Sequence, residues 1–421
     1  MSTLLAGLVA LCVAPAAFGH ASFLGSAPQP GTRLQASPQR VVLSFTEPLN
    51  RQLTKVRLVR AKGGAGVAAR VKAPSRRQVR LIASRKLRRG AYRVKWHSVS
   101  TEDGHALEGS FSFGVGAAAA GGGHAIEQSP LARGGAVRVA TRLALYVTLL
   151  LFAGALLLAV ILGRAGETWL VPRALEAIPG VDVAAIAARE RSIVTDLGIF
   201  ATAGAAAAAL AQATDAAQGI SAAGLRAFLL TNVAGLGRLA VIVLVLAALV
   251  LCRRRPWPAA ALAALALLSV AVSGHASSAS PRIPAILNDW VHLLAGSIWL
   301  GGIGLIVLVW RQTLRRGARP LRVAVTREVL PRFGRIALPA FAAVSASGVV
   351  SLLVQLGELN NLWQTAYGRV LLVKITLVAL IALASWWHAM RLRPRLLRAS
   401  DPAEHIERRH WRLLGTEPLL G

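Results

Sequence analysis

The sequence predicts a small antiparallel β-sandwich or barrel joined to an all-α polytopic membrane bundle. Three observations carry that expectation. Residues 20–116 alternate apolar and polar side chains at period two, in short runs punctuated by Pro, Gly and Ser. Residues 138–421 hold seven apolar runs, each long enough to span a bilayer. The 421-residue chain is 55% hydrophobic, which is rare for a soluble protein, yet it carries a formal charge of +30.

The first 19 residues read as a signal peptide. LLAGLVALCVAPAAF is an apolar core, and Ala17 and Gly19 place small residues where cleavage would expose His20. The segment MST before it has no Lys or Arg, a departure from the usual basic start. The chain has two cysteines, Cys12 in the leader and Cys252 at the end of an apolar run, so the mature chain has no disulfide framework. An exported domain of this kind must be held by its own core or by a metal.

In the β-region, RVVLSFTEPL, KVRLVR, RQVRLIA, AYRVKWHSV and GSFSFGV are the expected strands. Tyr92, Val94 and Trp96 share one strand face and are expected in the core; His97 alternates away and is expected at the surface. Residues 117–137 are low in complexity and predict a flexible linker, with a span of about 25 Å for a 20-residue chain. That tether keeps the β-domain near the membrane.

The seven runs lie near 138–163, 193–214, 235–252, 257–275, 285–310, 333–356 and 367–390. With the β-domain exported, the outer loops carry only Arg226 and Arg282. The inner loops and tail carry Arg253, Arg254 and Arg255, eight arginines from Arg311 to Arg335, and Arg391, Arg393, Arg395 and Arg398. This asymmetry predicts a multi-pass protein of the bacterial inner membrane, N-terminal domain outside and C-terminus in the cytoplasm. It also explains the net charge without nucleic acid, which is excluded as a partner; the bilayer is the partner expected.

Two groups of residues carry candidate chemistry. In the β-region, a histidine at the mature N-terminus offers its α-amine and an imidazole nitrogen to one ion, and Asp103 and His105 stand two apart in TEDGHALEGSFSF. In extended backbone that spacing points both side chains the same way, and Gly104 removes crowding between them. Nitrogen and oxygen donors of this kind suit Cu(II). In the fifth run, Asp289, His292, Gly296 and Trp299 lie on one helical stripe, and Gly296, Gly301 and Gly302 allow close helix approach. Ionisable groups at membrane depth normally serve function. His275 ends the fourth run on the outer side, and Lys374 in the seventh is the expected ion partner of Asp289.

HASFLGSAPQPGTRL, LSFTEPLN and YRVKWHSVSTEDGHALEGSFSFGV resemble the start, middle and end of the CopC copper-resistance proteins. The resemblance implies a Greek-key β-barrel of cupredoxin-like shape. It implies a Cu(II) site made by the His20 amine and imidazole, Asp103 and His105, with Glu47 an acidic neighbour of the site rather than a ligand. Some members have a Met-rich Cu(I) site; here the only methionines are Met1 and Met390, so only Cu(II) is expected. SGHA, DWVHLLAGSIWLGG and YGRVLLVKITLVALIA are similar to the CopD copper-resistance membrane proteins over most of 138–421. Such proteins usually have one more C-terminal helix, and RRHWRLLGTEPLLG stops where it would begin.

The function expected is copper capture outside and passage through His275, Asp289, His292 and Lys374 in the membrane, with copper ions and a periplasmic copper donor as partners. Cys252, His388 and Met390 fall on the cytoplasmic side and could form an inner Cu(I) site. The alternative is a haem-binding or copper-reducing membrane redox protein, with His275 and His292 as axial ligands; His388 lies about 20 Å deeper. An oxidative enzyme is not expected, because the β-region offers no aromatic substrate platform.

Overall fold

The computed structural model describes residues 21–121, 123–127, 135–163, 170, 182–316, 319–356, 361–364, 366–387 and 390–391. His20 and His388 lie outside them, as does the leader. Among the described residues, ten strands precede seven long helices and two short ones. The chain forms two compact units. One comprises the described residues of Met1–Ala140 with Ala207–Leu239 and Val272–Arg282, and the other those of Thr141–Ala206, Ala240–Ala271 and Ile283–Gly421.

In the first unit two sheets share one core. The first sheet runs β1 (Phe23–Ala27), β3 (Val41–Phe45), β7 (Gln78–Ala83), β6 (Ala69–Ser75). The second runs β10 (Ile126–Glu127), β9 (Ala106–Val115), β8 (Gly90–Val99), β4 (Lys55–Arg60), β5 (Gly66–Val67), with β2 (Arg33–Leu34) parallel to β9. The pairings β3–β7 and β4–β8 join strands distant in sequence, as in a Greek-key sandwich. The period-two pattern sorts the faces as expected. Val41, Leu43 and Phe45 from one sheet meet Tyr92, Val94, Trp96, Phe111 and Phe113 from the other, all buried. Phe23 stacks on Trp96 at 4.8 Å between ring centroids, closing the core at the N-terminal end.

Two expectations need correction here. The stretch read as a flexible linker contributes β10, which pairs Ile126 with Ser110 and Glu127 with Gly109. Glu127 also accepts the Phe23 N–H at 2.7 Å, so composition alone misjudged a segment that completes a sheet edge. His97 is buried, 5% exposed, not at the surface. It faces away from the sandwich core, as its alternation requires, but the end of a helix covers that face, and the carbonyl of Ala216 lies 2.9 Å from its Nε2.

The long helices are α1 (Gly135–Leu162), α2 (Val183–Ala217), α4 (Val233–Leu251), α5 (Pro256–Val272), α6 (Arg282–Arg316), α7 (Arg319–Leu356) and α8 (Ala366–Trp387). They coincide with the seven apolar runs. Five stretches, Gly135–Leu162, Val183–Ala217, Val233–Leu251, Arg282–Trp310 and Arg327–Leu353, are long and apolar enough to cross a membrane; Pro256–Val272 and Leu371–Leu383 are shorter apolar helices. An eighth helix, α3 (Ala222–Thr231), was not expected. Ser221 caps it, accepting from the Gly224 N–H at 3.1 Å.

The first unit includes the end of α2, all of α3 and the start of α4. Leu53 and Val99 of the sandwich pack with Ala213, Ala216, Phe228 and Ala234 of these helices. In the second unit α1 crosses α6 at Gly154, where a Cβ would overlap the Ser297 carbonyl. Gly301 lies against the Gly154 backbone and Gly302 against the Phe333 ring, as the expected close approach requires. Gly296 has only ordinary contact with Val344.

Candidate metal centre

The β8–β9 hairpin ends at the pair Val99 and Ala106, leaving residues 100–105 as its loop. Ser100 anchors the loop. Its N–H donates to the His105 carbonyl at 3.0 Å, and its hydroxyl donates to Glu47 Oε2 at 2.6 Å while accepting from the Glu102 N–H at 3.1 Å. The loop is not extended, because Gly104 adopts φ +70°. Asp103 and His105 therefore meet through a turn, not through alternation along a strand. Asp103 Oδ1 accepts the His105 N–H at 3.0 Å, and Oδ2 lies 2.7 Å from His105 Nδ1.

That contact has a chemical consequence. An ionised carboxylate only accepts, so Nδ1 carries the proton and the neutral ring keeps its lone pair on Nε2. A carboxylate holding one nitrogen of a histidine is the usual way to aim the other at a metal. The Asp103 side chain is fully buried, and that of His105 is 20% exposed. Glu47 is buried in the same place and bonded to Ser100, with Ser278 close by. Burial first, and the Asp103 charge second, push its carboxyl up to about 7. A cation at this loop would meet the Asp103 carboxylate, with Glu47 held behind Ser100.

Gly104 has a second role, different from the relief of crowding expected. A Cβ there would come within 2.8 Å of Phe228 and Ala234. The loop is thus seated on helix ends. Gln212 donates to the Asp103 carbonyl at 2.8 Å and accepts from Arg238 Nε at 3.1 Å; Arg238 reaches Ser273 Oγ at 3.4 Å. Asn50 donates to Asn232 Oδ1 at 2.5 Å, and the Val233 N–H donates to the Thr101 carbonyl at 3.1 Å. Sequence reasoning missed Gln212, Asn232 and Arg238. A hydrophobic-run search treats such residues as helix-end polarity and says nothing of what caps them.

The start of the described chain runs to this loop. Ala21 is fully buried, its carbonyl accepting from Ser98 Oγ at 3.0 Å, two residues before Ser100. The Ser22 N–H donates to Thr46 Oγ1 at 3.0 Å, next to Glu47. Among the described residues no group of three His, Cys, Asp or Glu side chains forms a metal cage, and His20 is not among those residues.

In the second unit the polar stripe of α6 meets α7. Asn288 donates to the Ser347 carbonyl at 3.0 Å and to Ser351 Oγ at 2.9 Å. His292, one turn on, lies 2.9 Å from Ser347 Oγ through Nδ1. Trp290 Nε1 donates to the Ala264 carbonyl at 2.9 Å, and Trp299 packs against Phe341. Asp289 is half-buried, but the ion pair expected with Lys374 does not form. Lys374 is exposed on α8, and its charge acts on His292 of the same stripe, not on Asp289. His275 begins the short 3₁₀ turn His275–Ser278, in the first unit with the Asp103 loop. Of the inner trio, the Cys252 thiol donates to the Leu249 carbonyl at 3.0 Å and Met390 is exposed. No hydrogen bond joins those two among the described residues, and His388 is outside them.

Residues 23–116 match the family described as the CopC domain, and residues 327–421 match the family described as copper resistance protein D. Glu47, Asp103 and His105 fall in the first match, and Lys374 and Met390 in the second; His275, Asp289 and His292 precede it. The copper transport protein CutJ of Bacillus subtilis is 26% identical over 370 residues, covering 85% of this chain. The match spans 65% of CutJ's own length, slightly under two thirds. Protein YobA of Escherichia coli is 29% identical over 113 residues, 26% of this chain and 90% of YobA. Among solved structures, PcoC, a methionine-rich copper resistance protein from Escherichia coli, is 29% identical over 23% of this chain and 98% of its own, with a TM-score of 0.21. CopC from Methylosinus trichosporium OB3b is 28% identical over 23% of this chain and 93% of its own, also at 0.21.

Proposed function

Because the chain joins a CopC domain to a CopD segment, we propose that it binds Cu(II) outside the bacterial inner membrane and passes copper to its helices for transport across that membrane. His20, through its α-amine and imidazole, Asp103 and His105 hold the ion. The turn bearing His275 receives it, and His292 carries it into the membrane. A periplasmic donor supplies the copper. The nitrogen and oxygen donor set suits Cu(II), and the loop arginines favour an outer N-terminal domain and a cytoplasmic C-terminus.

One observation supports the reading: the Ala21 carbonyl is anchored by Ser98, two residues before the loop in which Asp103 holds His105, and the mature N-terminus expected from the sequence is the residue before Ala21. Ser278, in the turn that begins at His275, stands close to Glu47, which supports placing that turn next to the loop.

The test is a full-length protein whose mature N-terminus is extended by one Ala. The extension converts the chelating amine to an amide and moves the imidazole away from the terminus. Cu(II) affinity, measured by competition with a chromophoric chelator, should fall by more than about 100-fold, beyond the range for loss of a supporting residue. Unchanged affinity refutes the N-terminal ligand.

A further inference from the structure

Ser347 sits where a hydroxyl can dictate the chemistry of a membrane histidine. A serine has one proton to donate and two lone pairs to accept with. The Ser347 hydroxyl lies 2.6 Å from the Ala343 carbonyl, one turn back on α7, and 3.1 Å from the Val344 carbonyl. A carbonyl cannot donate, so the serine proton goes to the backbone. The contact between Ser347 Oγ and His292 Nδ1 at 2.9 Å then has one consistent polarity, with Nδ1–H donating and Oγ accepting. The ring's lone pair is left on Nε2.

The surroundings hold that geometry. Asn288 and His292 are four residues apart on α6, and Ser347 and Ser351 four apart on α7, so the two faces meet as a two-rung ladder. Asn288 fixes the α7 backbone at the Ser347 carbonyl. Gly348 packs beside the ring, where a Cβ would make ordinary contact with His292 Cε1 at 3.7 Å.

We infer that Ser347 is a positioning residue that locks His292 in the Nδ1–H tautomer, presenting Nε2 as a ready ligand for copper. The inference rests on the copper path proposed above for its cargo, but the tautomer stands on the hydrogen bonds alone. A bare Nε2 binds a metal without first losing a proton, which matters where no water is at hand to take one.

The experiment uses the full-length protein in lipid, labelled with ¹⁵N-histidine, with the His292 resonance assigned by its loss in His292→Gln. Wild type should show Nδ1–H and bare Nε2 for His292. Ser347→Ala should shift that resonance towards a tautomer mixture, and Ser347→Thr, which can back-bond in the same way, should restore it. Copper flux into proteoliposomes should fall roughly 10–100-fold in Ser347→Ala and recover in Ser347→Thr. A wild-type Nε2–H tautomer, or one unmoved in Ser347→Ala, overturns the assignment even if His292→Gln abolishes flux. Normal flux in His292→Gln with the expected tautomer shifts overturns the ligand role and the copper path instead.

Discussion

The loop in the β-sandwich and the ladder between α6 and α7 orient an imidazole by the same device with different partners. In the loop, buried Asp103 holds His105 Nδ1 at 2.7 Å. In the ladder, Ser347 holds His292 Nδ1 at 2.9 Å. Both leave the lone pair on Nε2. The carboxylate sits in a loop built of N–H donors and hydroxyls, where its charge has hydrogen-bond partners. The hydroxyl sits on a helix read as crossing the membrane, where a second charge beside Asp289 would cost a few kcal/mol. The orienting group thus differs in the charge it brings, a carboxylate where N–H and O–H donors surround it and a neutral hydroxyl beside Asp289.

The largest effect that tests this comparison is at Asp103. Asp103→Asn keeps the size and one oxygen but loses the charge. Cu(II) affinity should drop by about 100-fold, because in the proposed site the residue both meets the ion and holds His105. Glu47→Gln, which touches the ion only through Ser100 and the local field, should cost less than about tenfold. Equal losses in the two variants would mean that charge alone matters and that the orienting contact does not.

A smaller effect separates the loop's own strain from its seat on the helices. Gly104 at φ +70° and Gly63 at φ +78° have nearly the same backbone, but only Gly104 has neighbours where a Cβ would go. Alanine at either site should cost about 1–3 kcal/mol of strain. Gly104→Ala should lose more, by the contact with Phe228 and Ala234. Thermal unfolding followed by tryptophan fluorescence measures both, and equal losses would show that the seat contributes nothing.

What could be read from the sequence divides along the same line. Strand faces were legible because burial alternates at period two, so Tyr92, Val94 and Trp96 were placed correctly. The helices were legible because apolar length is a strong signal; Asp103 and His105 were singled out together, but they meet through the turn at Gly104 and not by the strand alternation their spacing suggested. The covering of His97 was not legible, since alternation tells which way a side chain points but not what lies there. Ser347 was invisible for a related reason: in AVSASGVV a serine reads as small-residue packing. Only the facing histidine gives its hydroxyl a task.

The smallest expected effect is a pH response at His97. Burial lowers its pKa below the ordinary histidine value, a larger influence than the opposing Ala216 carbonyl and the charges of Glu108 and Asp215. The carbonyl only accepts, so Nε2–H donates and Nδ1 is bare, 3.6 Å from Glu108 Oε1. A folded-state pKa below the unfolded one means the unfolded chain binds the proton first as pH falls. The stability that neutral His97 contributes is therefore present above its ordinary pKa and is lost as pH drops through it. His97→Gln can still donate to Ala216 but does not titrate in this range. Thermal melts between pH 7.5 and 5.5 should slope less steeply for His97→Gln than for wild type, with little difference at the upper end. Parallel slopes would show that the buried ring takes up its proton without disturbing the seat of the sandwich on the helix ends.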